Sequence, residues 1–220
     1  MTRSKPDPKK LLATLKAEGG DKASLHGAVL TGQVLKQLRL READLSSAEL
    51  ENCKLTECAL DGARFTAANL TGATITGSIL HGAEFHKAVL SKVVIRASMF
   101  DKADFSDATA PGLKIAGSYG VAVKFCGVDL TGASLEDIDL KLGDFGKAKL
   151  AGAVLRRSRF HGASFTGCDL TGANLTDAEL QGANLASAIV QEAKFKGAKY
   201  DRKTKWGRGG PPADAVLVKR

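Results

Sequence analysis

A large apolar residue recurs at every fifth position along most of this chain, with a small residue two places before it. Between residues 163 and 185 the rule is followed without exception: Ala163, Cys168, Ala173, Ala178 and Ala183 precede Phe165, Leu170, Leu175, Leu180 and Leu185. Extended both ways, the frame runs through 36 consecutive five-residue units, from Ala23 to Tyr200, with no insertion or deletion. An amphipathic helix repeats its apolar face near 3.6 residues and a strand near 2, so a strict period of 5 is neither and signals a repeat architecture.

A longer period lies on top of the first. Phenylalanine holds the central place at Phe65, Phe85, Phe105, Phe125, Phe145 and Phe165, a recurrence of 20 residues. Four units therefore make one coil of a solenoid, and residues 20 apart lie above one another at roughly 4.8 Å. The phenylalanine column becomes a stacked ladder in which each contact contributes about 0.5–1.5 kcal/mol beyond burial. About nine coils at that rise give a rod on the order of 43 Å long.

Ala43-Asp44-Leu45-Ser46-Ser47, Ala68-Asn69-Leu70-Thr71-Gly72, Ala173-Asn174-Leu175-Thr176-Asp177 and Ala183-Asn184-Leu185-Ala186-Ser187 resemble the A(D/N)LXX unit of pentapeptide repeat proteins. The resemblance implies an all-β, right-handed quadrilateral β-helix in which the central residue and the small one before it point inward. The other three residues of each unit then face solvent. The residue types agree independently, since small Ala, Ser or Cys can share a narrow interior with Leu or Phe. Glycine at the fifth place, as in Gly62, Gly72 and Gly82, suits corners that need positive φ.

The ends read differently from the rod. Residues 1–22 form an N-terminal cap with a short helix over about 8–18: Asp7 is the N-cap, Pro8 the first-turn residue and Gly19 the stop. Leu11, Leu12 and Leu15 share the face expected to cover the open first coil. Residues 23–200 are the solenoid, and 201–220 a C-terminal tail in which Trp206 plugs the last coil. The run Ala215-Val216-Leu217-Val218 suits either capping or dimerisation; in several relatives this end forms a head-to-head dimer, so a homodimer through the C-terminal end is one expectation. The segment from Met1 to Lys10 lacks the apolar core of a secretory signal, and no apolar run reaches 18 residues, so the expected setting is cytoplasmic with no membrane span. Cys53, Cys58 and Cys168 fall at inward small-residue places and Cys126 at an outward one, which suits buried thiols standing in for alanine rather than a disulfide or metal framework.

The pattern strains between Ala108 and Val128. Central places there hold Ala110 and Gly120, while usually small places hold Leu113, Val123 and Val128. Leu113 and Val123 are expected to move volume into the gap, because an unfilled leucine-sized void costs roughly 2–5 kcal/mol. The alternative is a functional kink or ligand notch.

We number the four sides by the columns that Phe65, Leu70, Ile75 and Leu80 carry. The solenoid balances 20 basic against 19 acidic residues, so most of the formal net charge of +8 lies in the two tails. The third side is net +4, with Arg96, Lys114, Arg156 and Arg157 beside Arg159 forming the candidate basic patch, and the second side is net −3. No continuous basic stripe with aromatic platforms appears, which makes nucleic acid an unfavoured partner. On the fourth side Ile79, Met99 and Tyr119 occupy one outward column, with Val121 and Leu142 nearby, and such an apolar patch points to a protein partner. His26, His81, His86 and His161 lie on outward places of two sides; His81 and His86, on adjacent sides of one coil, have neither cysteine nor a fixed carboxylate at ligand spacing, and no nucleophile with a base, phosphate loop or zinc pattern is present. The chain thus reads as a non-enzymatic scaffold with no cofactor, metal or catalytic residue. A second reading comes from the resemblance: some pentapeptide repeat proteins imitate the DNA duplex and protect type II topoisomerases such as DNA gyrase from poisons.

Overall fold

The computed structural model describes residues 7–218, so residues 1–6 of the N-terminal cap and 219–220 of the tail lie outside the described part. One helix, α1 (Pro8–Glu18), leads into a parallel β-solenoid of nine coils. Its longest strands are β1 (Val34–Lys36), β2 (Lys54–Thr56), β3 (Thr74–Thr76), β4 (Val94–Arg96) and β5 (Lys114–Ala116), which stack in sequence order as one five-stranded sheet on the third side. Elsewhere the rungs are single parallel bridges between residues 20 apart, from Ser24 and Asp44 to Glu179 and Lys199. The register Leu35–Leu55–Ile75–Ile95–Ile115 places each inward side chain directly on its counterpart one coil away.

The core is the two inward columns of each side, and the expected aromatic ladder is present. Successive rings from Phe65 to Phe165 stack with centroids 4.6–5.0 Å apart and planes within 11° of parallel. Phe100 and Phe160 meet this ladder edge-on from the fourth side, at 6.2 Å from Phe105 and 5.2 Å from Phe165. Buried rings in face and edge contact fill this part of the interior closely.

The corners explain the outward residues of the repeat. At most corners the N–H of the inward small residue donates to the carbonyl three residues earlier, as Ala63 does to Leu60 at 3.0 Å. The residue two after the centre adopts positive φ whether or not it is glycine; Asn52, Glu57 and Lys87 all lie near φ 55–57°. An Asp or Asn just before the centre accepts from the N–H two residues on, as Asn69 does from Thr71 (3.1 Å) and Asp169 from Thr171 (2.9 Å). This local bridge holds the chain across its central residue, which gives the A(D/N)L motif a mechanical basis.

The corner between the third and fourth sides is built another way. Cys58, Ser78 and Ser98 donate their N–H groups to the buried hydroxyls of Ser78, Ser98 and Ser118 one coil on, each at 3.1 Å. Those hydroxyls in turn donate to the carbonyls of Thr76, Arg96 and Ala116. A serine ladder thus supplies the partner that a buried amide requires.

The strained stretch is resolved by compensation. Ala110, Leu113, Val123 and Val128 are all fully buried, and the 20-residue register passes through unchanged at Thr109–Asp129 and Tyr119–Asp139. A Cβ added at Gly120 would lie 2.6 Å from Val123 Cγ2 and 2.8 Å from Phe100 Cδ2, so the space of the missing leucine is already taken.

The helix covers the first coil, and the tail covers part of the last one. Asp7 accepts from the Lys9 N–H at 3.1 Å, and α1 buries Leu12 and Leu15 with Leu11 partly covered. Gly20 brings the chain against the first coil, where a side chain would strike Leu40 and the Arg39 carbonyl. At the other end the coil runs past Tyr200 to a rung between Asn184 and Lys205, a separation of 21 that absorbs one extra residue. Thr204 donates its buried hydroxyl to the Leu180 carbonyl at 2.9 Å, and Trp206 packs edge-on against Phe195 and Tyr200. The stretch left open between capping and dimerisation contains β7 (Val216–Leu217), which pairs with β6 (Lys199–Tyr200) and so caps the fourth side.

Restoring the repeat by Gly120→Leu is expected to lower stability by about 1–3 kcal/mol through overpacking. Gly120→Leu with Val123→Ala should recover most of that loss; urea unfolding midpoints check both, and a stabilised single variant would refute the compensation.

Candidate partner-binding surfaces

Outward side chains of the same column lie one rung apart, so the surface chemistry of the rod is decided between coils. Opposite charges meet in this way along the shaft: Arg64 with Asp44 and Lys124 with Asp104, both at 3.2 Å. Exposed pairs of this kind each contribute little to stability, but they cancel the local field.

That cancellation divides the candidate basic patch. Arg157 is bidentate to Asp137 at 2.8 and 2.7 Å and also reaches Glu136 at 3.0 Å. Arg156 faces Glu136 at 3.6 Å, and Arg159 lies between Asp139 and Glu179. Arg96 and Lys114 sit apart from this group on β4 and β5 with no ion pair among the described residues. The three arginines of the sequence cluster therefore face four carboxylates in an ion-pair network and do not form a basic surface.

The fourth-side apolar column is present, with Ile79, Met99 and Tyr119 bridged in register. Ile79 and Met99 are half-buried by their neighbours, and the Tyr119 hydroxyl lies on the Met99 sulfur. The exposed part is Tyr119 (48%), Val121 (40%) and Leu142 (59%). Leu142 lies across Gly162, where an added Cβ would be 2.8 Å from its Cδ2. A 290 Å³ cleft beside Tyr119, lined also by Asp137, Asp139, Arg157 and Arg159, places the ion-pair network at the edge of the patch.

Three of the histidines have partners on neighbouring coils. Each of three faces a carboxylate on another coil: His81 with Asp101 (3.8 Å), His86 with Asp107 (3.8 Å) and His161 with Glu179 (3.2 Å). Separations of about one coil along the chain are far longer than ligand spacing, which conceals these partners in the sequence. His81 Nδ1 also accepts from the Asp101 N–H at 3.2 Å. Among the described residues no group of three or more His, Cys, Asp or Glu side chains could hold a metal ion.

All four thiols are free, with Cys53, Cys58 and Cys168 buried and Cys126 half-buried. Burial pushes the thiol of Cys53 up to about 11 and that of Cys168 to about 12. Cys53 and Cys168 donate to the carbonyls of Leu30 and Phe145. Burial likewise raises Cys126 to about 11, helped by the neighbouring Asp144.

One exposed apolar site has almost no signature in the sequence. Ile189 (47%) and Val190 (41%) are open at the C-terminal end, although Val190 occupies an inward place of the repeat. The sole signal lies one coil later, where Gly209-Gly210-Pro211-Pro212 cannot continue the pattern.

Fold and surface together define a parallel repeat solenoid whose sides carry many inter-coil ion pairs and an exposed apolar cluster. The sequence matches the family model for pentapeptide repeats in eight copies, over residues 23–60, 48–86, 58–96, 144–177 and 163–199. These segments take in more than half of the chain, which belongs to the pentapeptide repeat family. The stretch between them contains the irregular units around Gly120. Among solved structures, a trypsin-treated form of QnrB1, a plasmid-mediated fluoroquinolone resistance protein, superposes with a TM-score of 0.63 at 19% identity, over 84% of this chain and 89% of that one. A second trypsin-treated form gives 0.55 at 21% identity, over 86% and 89%. HetL, a pentapeptide repeat protein involved in heterocyst differentiation regulation from the cyanobacterium Nostoc sp. strain PCC 7120, is 26% identical over 86% of this chain and 95% of its own, with a TM-score of 0.35. No curated protein matches the sequence. No described helix is long and apolar enough to cross a membrane.

At pH 8 the native protein should resist thiol-specific labelling at all four cysteines and take up four equivalents once unfolded. Rapid native labelling of Cys53 or Cys168 would contradict the burial that raises their pKa values.

Proposed function

We propose that this chain is a non-enzymatic scaffold that holds a protein partner against its fourth side. The observation that carries the reading is the exposed cluster of Tyr119, Val121 and Leu142 beside the ion-pair network of Arg157 and Arg159. Tyrosine and leucine held on a rigid surface lose little entropy on docking, and a small apolar centre with a charged rim is the usual anatomy of an interface. Arg157 and Arg159 supply that rim from across the cleft.

Topoisomerase protection by imitation of DNA has less support. A duplex mimic needs an unbroken acidic surface, whereas here Arg64, Lys124, Arg157 and Arg159 each pair with acidic residues along the shaft. The likeness to QnrB1 concerns the fold. Binding of nucleic acid to the third side is weakened by the same pairing, since Arg156 and Arg157 are already engaged.

Tyr119→Ser with Leu142→Asp is expected to lower recovery of a co-purifying partner from the native host by about tenfold or more. Unchanged recovery would remove this patch from consideration. In a gyrase supercoiling assay poisoned by a quinolone, micromolar protein should give no protection; clear protection would transfer the function to the topoisomerase reading.

A further inference from the structure

The C-terminal end of the rod is capped on some sides and open on another. Over the first side, Lys205 lies as an added rung, accepting from Leu185 N–H at 2.7 Å and donating to the Ala183 carbonyl at 2.9 Å. On the fourth side Val216 donates to the Ala198 carbonyl at 2.7 Å, and at the corner before it Gly197 donates to Asp214 at 3.0 Å. Across the second side, over Ala188–Glu192, no rung is present among the described residues. The inward residues of this column are fully buried from Leu30 to Leu170, and then Val190 is 41% exposed.

The hydrogen bonds of the preceding coil show what is missing. There Leu170 and Gly172 donate to the carbonyls of Ile189 and Gln191, both at 2.8 Å, while Asp169 donates to the Ala148 carbonyl at 3.0 Å. By the same register the N–H groups of Val190 and Glu192 and the Ala188 carbonyl face along the rod axis, with no partner among the described residues. The chain itself does not supply one, because it turns at Gly207–Gly210, where the Gly210 N–H donates back to the Gly207 carbonyl at 3.3 Å and Gly209 and Gly210 lie at positive φ. Beside the open strand is a cleft of 590 Å³ lined by Ala186, Ser187, Ala188, Trp206, Gly207 and Arg208. The indole N–H of Trp206 is enclosed and has no hydrogen-bond partner.

We propose that Ala188–Glu192 accepts an extended, acidic segment of a partner protein as an added parallel rung. Backbone donors and acceptors at strand spacing select an extended chain. Ile189 and Val190 favour an apolar residue at its centre. Charge sets the rest: residues 189–218 carry seven basic and three acidic groups, a net +4, so a carboxylate-rich segment is attracted. A second copy of this chain, bringing the same +4, is disfavoured at this end. The site is separate from the Tyr119 patch and does not depend on it.

The test uses the full chain and a fluorescein-labelled peptide, acetyl-DEVIVDE-amide, with acetyl-DEPIVDE-amide as a control of equal charge whose proline, opposite Ile189, lacks the N–H that the Ala188 carbonyl would accept. Anisotropy titration should show saturable binding of the first peptide and at least about tenfold weaker binding of the second. Amide hydrogen exchange at Val190 and Glu192 should slow when the first peptide is added. Val190→Asp and Arg208→Glu should each weaken binding about tenfold, whereas Tyr119→Ser with Leu142→Asp should leave it unchanged. Equal binding of the two peptides would mean attraction by charge alone and would overturn the proposal, as would unchanged exchange at those amides in the wild-type chain. Sedimentation showing a dimer that Val190→Asp dissociates, with no peptide bound, would assign the edge to a second copy instead.

Discussion

The structure depends on one repeated contact, the hydrogen bond from each coil to the next at fixed register, as from Phe65 N–H to the Glu84 carbonyl at 2.6 Å. A single such bond contributes only about 1 kcal/mol. Repeated along four sides it forbids slippage, because a shift of one residue would place Asp and Lys where Ala and Leu must lie. Side chains 20 apart are therefore held at rung spacing along the whole shaft. Each column then has to be self-compatible: flat rings stack on flat rings, hydroxyls bridge amides, and charges meet opposite charges.

That condition separates what was legible in the sequence from what was not. The Phe65–Phe165 ladder and the frame itself follow from the remainder of a residue number after division by 20, because inward places admit few residue types, and the capping leucines follow from the shared face of a short helix. The compensation around Gly120 was also readable, since the volume lost there reappears at Val123, within contact of the vacant position. The serine ladder was not legible. Ser78, Ser98 and Ser118 look like any small inward residue until the corner is seen to leave the Cys58, Ser78 and Ser98 amides in need of an acceptor.

The outward surface was harder still. Arg156, Arg157 and Arg159 form a basic cluster along the chain, yet Glu136, Asp137 and Asp139 lie one coil away in the same columns. The histidines repeat the lesson, since His81 and Asp101 are one coil apart and touch. Val190 shows the limit in the opposite direction. Its place in the pattern predicts burial, but burial in a solenoid is a property of the next coil, and here that coil turns away at Gly209 and Gly210.

Two kinds of surface result, and they suit different recognition. Along the sides the backbone is satisfied, so only side chains can be recognised; Tyr119 and Leu142 project from rungs fixed on both faces and are already ordered before any encounter. At the end the backbone itself is available, and there the tail covers the first and fourth sides while its turn at Gly207–Gly210 carries it away from the second. A tail that capped every side would have cost nothing more than a regular tenth coil, which the repeat could readily encode. Leaving one side open exposes apolar and peptide surface that solenoid ends ordinarily shield, a burden on solubility that the surplus of basic groups around it offsets.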